Sequence, residues 1–363
     1  MELVRVCVTR SGDPVPAILL RTPSARPDHA VRLSGAGVEN TCDIVWPAMQ
    51  PPRVRIVRDV PFASAGGEPL LADLFLPQDT ASPPPVIVWV HGGGWRFGSR
   101  HLAPDLSRFF AARGFAMAAI DYRLTPHATF PAQLEDLEAA VAWLPAAAGA
   151  YGFDAARVGL WGSSAGGHLA ALAALTGSHP VGVSGHAPAR PTRPVSAVVV
   201  GYAPVDFLQM DAHRPPAGTV SEDPETLPLP RLDMRSADAD SFESLLVGAP
   251  IETCPERVRR ASPLTYVRPG APPFLILHGL ADTTVPPHQS LLLYEALAAH
   301  GNAVTLCVVE GLGHGFLHRS HLDDGPPRHT ICRYALEGSE VTGAGAQAIF
   351  PLVEQFFADH LRR

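Results

Sequence analysis

A serine, an aspartate and a histidine, the residue types that together catalyse acyl transfer, each follow an apolar run in this chain. Ser164 lies in residues 162–167, Gly-Ser-Ser-Ala-Gly-Gly, between a strand-like run and a helix-like one. This pattern is typical of a nucleophile elbow, a strained strand-to-helix turn that exposes a serine hydroxyl. Small-residue runs also occur in ordinary turns, so the interpretation depends on its context.

Residues 91–95, His-Gly-Gly-Gly-Trp, supply part of that context, because they follow the apolar run at 86–90. Consecutive glycines leave backbone N–H groups bare, and such donors can stabilise the oxyanion of a tetrahedral intermediate. Each donor is typically worth about 3 kcal/mol of barrier. We predict Gly93, Gly94 and Ala165 as the donors. A glycine turn without a ligand is the alternative, whereas a phosphate-binding loop would need a lysine or GxGxxG spacing, which residues 91–95 lack.

The candidate acid and base lie further along, on loops after two more apolar runs. Asp282 follows residues 274–277, and His314 follows residues 304–309. The order serine, acid, histidine suits a parallel sheet, whose ligand-facing residues gather beyond the carboxyl ends of its strands. We predict that His314 takes the Ser164 proton while Asp282 orients the imidazole. Asp206 is a rival acid, one strand earlier.

Several other residues have both a functional and a structural interpretation. Trp95 and Tyr202 are predicted near the substrate, with packing around the pocket as the simpler alternative. His168 lies one helical turn after Ser164, and we interpret it as a hydrogen-bonded structural histidine. The candidate metal ligands are better explained as a solvated loop, so neither a metal nor a cofactor is expected: His318, His321, Asp323 and Asp324.

The elements that must position these residues alternate between strand and helix, which predicts an α/β fold with a mostly parallel sheet and helices on both faces. An antiparallel pair, at residues 54–58 and 70–76, is expected to precede the parallel part. Residues 53–363 are predicted to form one domain, after an N-terminal extension over 1–52 to which we assign no role. Irregular composition predicts a cap around 207–260 and a further insertion around 317–345.

The composition excludes several other chemistries. All 28 basic residues are arginine, so Schiff-base, P-loop and Ser-Lys mechanisms lack their lysine. A net charge of −7 without basic runs disfavours nucleic acid. The sequence contains no run long enough to span a bilayer and does not begin like a signal peptide. The scattered cysteines predict reduced thiols and a cytoplasmic location: Cys7, Cys42, Cys254, Cys307 and Cys332.

Taken together, the motifs resemble the α/β-hydrolases, and among them the esterases related to hormone-sensitive lipase and the bacterial feruloyl and acetylxylan esterase-like group. Besides Ser164, Asp282 and His314, the matching segments are residues 91–95, 121–124, 130–136 and 261–264. Ser163 stands where lipase-like members often have aspartate, and His-Ala-Thr at 127–129 replaces their common Glu-His pair. These departures favour the feruloyl-esterase-like branch.

The resemblance implies a serine carboxylic ester hydrolase that works through an acyl-enzyme on a small to medium acyl ester. An aryl-formamidase or amidase of the same fold is one alternative, because such enzymes share the HGGxW and GxSAG pairing. A non-catalytic binding protein is another, although such proteins typically lose a triad member. A prolyl-oligopeptidase-type exopeptidase would need a larger N-terminal domain. The sequence allows a homodimer and does not specify the natural ester.

Overall fold

A single mixed β-sheet of ten strands organises the part of the chain that the computed structural model describes, which comprises residues 53–176, 195–214, 223, 225 and 235–362. The strands are β1 Val54–Ala65, β2 Glu68–Pro77, β3 Pro85–Val90, β4 Ala116–Ile120, β5 Asp154–Ser163, β6 Ala197–Gly201, β7 Phe274–Gly279, β8 Val304–Val309, β9 Arg328–Leu336 and β10 Ser339–Gln347. The α-helices are α1 Leu106–Phe109, α2 Ala132–Tyr151, α3 Ala165–Thr176, α4 Met210–His213, α5 Phe242–Val247, α6 Pro255–Ala261, α7 His288–Ala299 and α8 Ile349–Leu361.

The strand order is β1-β2-β4-β3-β5-β6-β7-β8-β9-β10. The six strands from β4 to β8 in that order run parallel, while β1 and β2 at one edge and β9 and β10 at the other are antiparallel additions. The antiparallel pair before the parallel sheet is present as predicted. Parallel strand ends therefore meet at one edge, where the loops after β3, β5, β7 and β8 gather.

Helices cover both faces of the central strands, as the sequence predicts. All six residues of β3 are buried, because Val88 and its alternate neighbours face one core while Ile87 and Trp89 face the other. The first core includes residues of α2, α3 and α7, and the second includes residues of α1 and α8. A strand buried on both faces has to be apolar throughout, which explains its continuous apolar sequence.

The stretch predicted as an insertion around 317–345 mostly extends the sheet. After a 3-10 turn at Phe316–His318, β9 pairs antiparallel with β8, and β10 pairs with β9 in an unbroken register. The residues of β10 are almost all exposed, so they lack the alternation of apolar and polar residues that identifies a half-buried strand. The hairpin therefore could not be predicted from the sequence. Within the predicted cap, α4, α5 and most of α6 are described.

Cys307 and Cys332 form a disulfide between β8 and β9, so the prediction of reduced thiols is wrong for this pair. The two residues are register partners with Cα atoms 4.1 Å apart, and only the folded sheet brings them together. Cys254 is free, while Cys7 and Cys42 lie outside the described residues. Because disulfides are rare in the cytosol, the cysteines no longer support the predicted cytoplasmic location.

Removing this disulfide is expected to destabilise the protein. The bond closes a loop with a sequence separation of 25, for which the chain-entropy relation gives about 3.5 kcal/mol. Denaturant unfolding of the double variant Cys307→Ala/Cys332→Ala should show this loss, with Cys254→Ala as the control. Thiol titration of the unfolded wild-type protein should find two fewer thiols before reduction than after it. Equal counts would contradict the bond.

None of the helices between residues 53 and 362 that the structure describes has the length and hydropathy that a bilayer crossing requires.

Candidate active site

Ser164 sits on a sharp turn between the end of β5 and the start of α3. Its φ of 54° is a conformation that non-glycine residues rarely adopt. The turn is tight enough that a Cβ on Gly162 would lie 2.2 Å from the Gly166 carbonyl oxygen, and one on Gly166 would lie 2.0 Å from that of Val90. No larger residue fits at either position, which is the physical reason for the glycine pattern of an elbow.

The imidazole of His314 is hydrogen-bonded at both of its nitrogens. Nε2 lies 2.9 Å from Ser164 Oγ, and Nδ1 lies 2.8 Å from Asp282 Oδ2. His314 is only 2% exposed, so these contacts are shielded from water. The structure thus brings together the three side chains that the sequence placed on separate loops after β5, β7 and β8. A base bonded to both a hydroxyl and an orienting carboxylate is the arrangement that activates a serine nucleophile.

Asp282 is held in place and kept ionised. Its Oδ1 accepts hydrogen bonds from the backbone N–H groups of Thr284 and Val285, each 2.9 Å long. Burial alone would raise the pKa of this carboxyl group, but the imidazoles of His314 and His278 lower it well below its usual value. A permanently charged carboxylate can stabilise an imidazolium at His314, and its fixed position selects the tautomer that leaves Nε2 free to accept a proton.

His278, near the end of β7, contacts both its own loop and the acid of the site. Its Nδ1 is hydrogen-bonded to Ser290 Oγ at 2.7 Å and its Nε2 to the Val285 carbonyl at 2.9 Å. The same Nε2 lies 3.3 Å from Asp282 Oδ2. Asp282 therefore contacts two buried imidazoles. The sequence offers a faint signal for this, since a histidine at a strand end four residues before the acid can reach it.

The oxyanion loop, residues 91–98 after β3, turns back on itself beside the elbow. Gly93, Gly94 and Trp95 have φ values of 111°, 59° and 56°. The N–H of Phe97 donates to the Gly93 carbonyl over 2.9 Å, which closes the turn. A Cβ on Gly93 would lie 2.2 Å from the Phe97 carbonyl oxygen, so only glycine fits there. Turns of this kind direct successive backbone N–H groups toward one side, where an anion can bind.

This loop passes close to the nucleophile, since a Cβ on Gly92 would lie 3.2 Å from that of Ser164. Ala165 is the first residue of α3, and the N–H groups in the first turn of a helix have no partner within the helix. The loop and the helix start thus flank the Ser164 hydroxyl. Gly93, Gly94 and Ala165 lie on these two segments, and their role as oxyanion donors stays a prediction.

Buried polar contacts hold the oxyanion loop at both ends. The Tyr122 hydroxyl donates to the His91 carbonyl over 3.0 Å, and the two rings stack. At the other end Arg100 forms ion pairs with Asp73 and Asp121. Asp121 also accepts from the Arg100 backbone N–H over 2.8 Å. Asp121 and Tyr122 therefore brace the loop.

Trp95 and Tyr202, which were predicted near the substrate, are both buried, and their contact with substrate stays a prediction. The Trp95 ring packs edge-on against His168 and Phe207. The Tyr202 ring packs against His314, with centroids 4.8 Å apart. Large aromatic residues at strand ends suit either a pocket wall or the core beneath it.

His168 and the rival acid Asp206 both have structural partners. Nε2 of His168 is hydrogen-bonded to the Ala261 carbonyl at 2.7 Å, and burial lowers the pKa of this imidazole to about 4. Asp206 caps a 3-10 turn by accepting the Leu208 backbone N–H. The acid that contacts His314 is Asp282.

The four candidate metal ligands each have a different partner. His318 is bonded to Ser163, His321 to Glu225, Asp323 to the first backbone N–H groups of α8, and Asp324 to Arg108. These four side chains therefore do not converge on one point. Elsewhere in the described ranges, no group of three or more histidine, cysteine, aspartate or glutamate side chains could hold a metal.

Two contacts from the predicted cap reach the site and were not foreseen. The Phe242 ring would lie 2.9 Å from a Cβ on Gly94, and it meets the Phe97 ring edge-on. On the other side, Asp223 accepts the Gly313 backbone N–H over 2.7 Å, directly before the histidine of the site. Both cap residues are far in sequence from the loops they touch, so no local pattern could have revealed them.

A mostly parallel sheet, a serine elbow after β5, and an acid and a histidine after β7 and β8 define an α/β-hydrolase. The family model described as BD-FAE matches residues 72–297, well over half of the chain, so the protein belongs to this family.

Named esterases are among the relatives of this chain. Esterase LipC of Mycobacterium tuberculosis (strain ATCC 25618 / H37Rv) is 34% identical over 73% of this chain. The chain spans 61% of the length of LipC and 53% of that of Esterase LipQ from the same organism.

Two solved structures are similar in fold. A truncated carbohydrate esterase from gut microbiota superposes with a TM-score of 0.63 at 24% identity, over 87% of this chain and 99% of that one. Thermogutta terrifontis esterase 2, phosphonylated by sarin, gives a TM-score of 0.53 at 26% identity, over 74% of this chain and 87% of that one.

Proposed function

We propose that this protein is a serine carboxylic ester hydrolase that forms a covalent acyl-enzyme on Ser164. The observation that carries the proposal is the single imidazole, His314, bonded at once to the Ser164 hydroxyl and the Asp282 carboxylate. Membership of the BD-FAE family and the named esterases among its relatives support the same chemistry.

In the proposed first step, Ser164 Oγ attacks the ester carbonyl carbon while His314 Nε2 takes the hydroxyl proton. The carbonyl oxygen becomes an oxyanion, which the N–H groups of Gly93, Gly94 and Ala165 stabilise. When the intermediate collapses, the C–O bond to the alcohol breaks and His314 returns its proton to the leaving oxygen. The acyl group is then covalently bound to Ser164.

In the second step, water takes the place of the alcohol. His314 accepts a proton from the water as its oxygen attacks the acyl carbon, and the same three donors stabilise the new oxyanion. Collapse releases the carboxylic acid, and the proton returns to Ser164. Asp282 stays ionised throughout and stabilises the imidazolium in both halves of the reaction.

We further propose that residues 207–260 act as a cap over this site, within one hydrolase domain that spans 53–363. Phe242 on α5 lies against Gly94 on one side, and Asp223 holds Gly313 on the other. The edge-on pair of Phe97 and Phe242 supplies an apolar wall beside the proposed oxyanion donors. Such a wall suits a small to medium acyl ester with little charge near its carbonyl group.

Hydrolysis of p-nitrophenyl esters from acetyl to octanoyl, compared with a formyl-anilide, tests the class of reaction. We expect ester turnover to exceed anilide turnover, with kcat/KM falling at the longer chains as the wall limits the acyl group. Faster anilide turnover would favour the amidase alternative. The absence of turnover on both substrate classes would favour a binding protein and contradict the proposal.

A further inference from the structure

Two consecutive serines at the elbow are hydrogen-bonded to two histidines of one loop. Ser164 Oγ lies 2.9 Å from His314 Nε2, and Ser163 Oγ lies 2.8 Å from His318 Nε2. The first pair belongs to the proposed reaction, whereas the second has no part in it. Both pairs connect the end of β5 to the loop that follows β8. The second pair therefore holds together the same two segments that must stay close for the first pair to form.

The second pair is not a second nucleophile and base. Ser163 is fully buried, and within the described ranges the Nδ1 of His318 has no hydrogen-bond partner, so no carboxylate orients this imidazole. Burial also lowers the pKa of His318 to about 3, which keeps the ring neutral. A buried serine beside a weakly basic histidine that no acid orients lacks the features that activate a nucleophile.

Tyr202, directly after β6, completes a closed ring of contacts with Ser163 and His318. Its hydroxyl accepts the Leu317 backbone N–H over 3.2 Å. Burial raises the pKa of this phenol, and the nearby Ser163 side chain acts to lower it. Leu317 directly precedes His318, so the contacts run from Ser163 to His318, through the backbone to Leu317, and back through Tyr202. The Tyr202 ring also packs against the His314 imidazole.

The loop that carries His314 needs such support, because residues 310–315 form neither strand nor helix. Its position is set by whatever it touches, and an error of about 1 Å at a catalytic group can lower the rate about 100-fold. The ring attaches this loop to two strand ends, β5 and β6, immediately beside the nucleophile.

We propose that Ser163, Tyr202 and His318 form a positioning ring, which holds the His314 imidazole within hydrogen-bonding reach of Ser164. The inference rests on the proposed function for its kinetic consequence, while its structural content concerns the placement of His314 alone. These three are positioning residues, since they act on the reaction through His314.

The test compares Ser163→Ala, Tyr202→Phe and His318→Leu with the wild-type enzyme on a p-nitrophenyl ester. We expect kcat to fall about 10- to 100-fold in Ser163→Ala and His318→Leu, with KM within about threefold, because the loss concerns alignment and not binding. His318→Gln, whose amide can still bond to Ser163, should recover most of the rate. The double variant Ser163→Ala/His318→Leu should be no slower than either single one, because both remove the same contact.

Thr176→Val is the matched control. It removes a buried hydroxyl that bonds to the Leu172 carbonyl at the far end of α3. Its kcat should stay within about twofold of the wild type. This result would show that the loss of a buried hydroxyl hydrogen bond does not by itself lower kcat. Thermal melting establishes which variants are folded at the assay temperature. If His318→Leu is unfolded there, Ser163→Ala decides the outcome.

A proton NMR readout separates this inference from the proposed function. The Nδ1 proton of His314, shared with Asp282, should give a far-downfield signal in the wild type that shifts or broadens in Ser163→Ala and His318→Leu. A wild type without ester turnover would refute the proposed function and leave this readout intact. An unchanged signal, or a kcat within twofold of the wild type in both folded variants, would overturn the positioning ring.

Discussion

Ser164→Ala is expected to lower kcat on a p-nitrophenyl ester by about 10⁶-fold, the scale seen when a serine nucleophile is removed from a triad enzyme. The hydroxyl at 2.9 Å from His314 is the group that would form the bond to the acyl carbon. Alanine leaves no atom to take its place. The fold should be intact, because the elbow geometry depends on Gly162 and Gly166 and not on the serine side chain.

A fluorophosphonate probe provides the second measurement. The wild type should be labelled once, at Ser164, and the Ser164→Ala variant should not be labelled. Ser339→Ala, at an exposed position on β10, serves as the control and should match the wild type in both turnover and labelling. Turnover or labelling that persists in a folded Ser164→Ala protein would place the nucleophile elsewhere.

Asp282→Asn is expected to lower kcat by about 10⁴-fold, with the fold retained. Asparagine keeps the shape and can still accept the N–H bonds of Thr284 and Val285 through its oxygen. Its amide nitrogen, however, would face His314 Nδ1 as a donor. The imidazole would then adopt the tautomer that carries its proton on Nε2, and it could no longer accept the proton of Ser164.

Asp206→Asn is the matched control, because it makes the same chemical change at the rival acid. Its kcat should stay within about threefold of the wild type, since Asp206 caps a turn and has no contact with His314 among the described hydrogen bonds. A larger loss in Asp206→Asn than in Asp282→Asn would reverse the assignment of the acid.

Asp282→Asn also has a consequence for the stability of the protein in acid. The folded protein lowers the pKa of Asp282 below its unfolded value of about 3.9, so the ionised carboxylate stabilises the fold above that pH. This contribution is lost as the pH falls through the folded pKa. Asp282→Asn should therefore show a shallower loss of unfolding free energy below about pH 4 than the wild type.

Much of the candidate site could be predicted because its parts are local patterns. The elbow is a steric necessity at Gly162 and Gly166, and the oxyanion loop needs a glycine at Gly93, so both leave a signature in consecutive residues. Asp282 and His314 follow buried strands, whose apolar runs are visible on their own. The rule that ligand-facing loops follow parallel strands supplied their convergence, and it did not require coordinates.

The remaining features depend on contacts between distant segments. The disulfide of Cys307 and Cys332 follows from the pairing of β9 with β8, and β9 had no recognisable pattern. Trp95 and Tyr202 were predicted near the substrate, and the packing of several elements buries both side chains. Hydrophobic type alone does not say whether an aromatic residue faces a pocket or the core beneath it.

The amino-acid sequence by itself determined the fold class, the nucleophile elbow and the candidates for acid and base, because these depend on short-range sterics and on the strand order of one sheet. Only the tertiary structure decided which hydroxyl bonds to which histidine. Ser163 and Ser164 are adjacent in the chain and have the same side chain. The imidazoles of His314 and His318 are likewise chemically identical to each other. Their pairing depends on where the loop after β8 lies against the end of β5, a placement set by packing across the whole sheet.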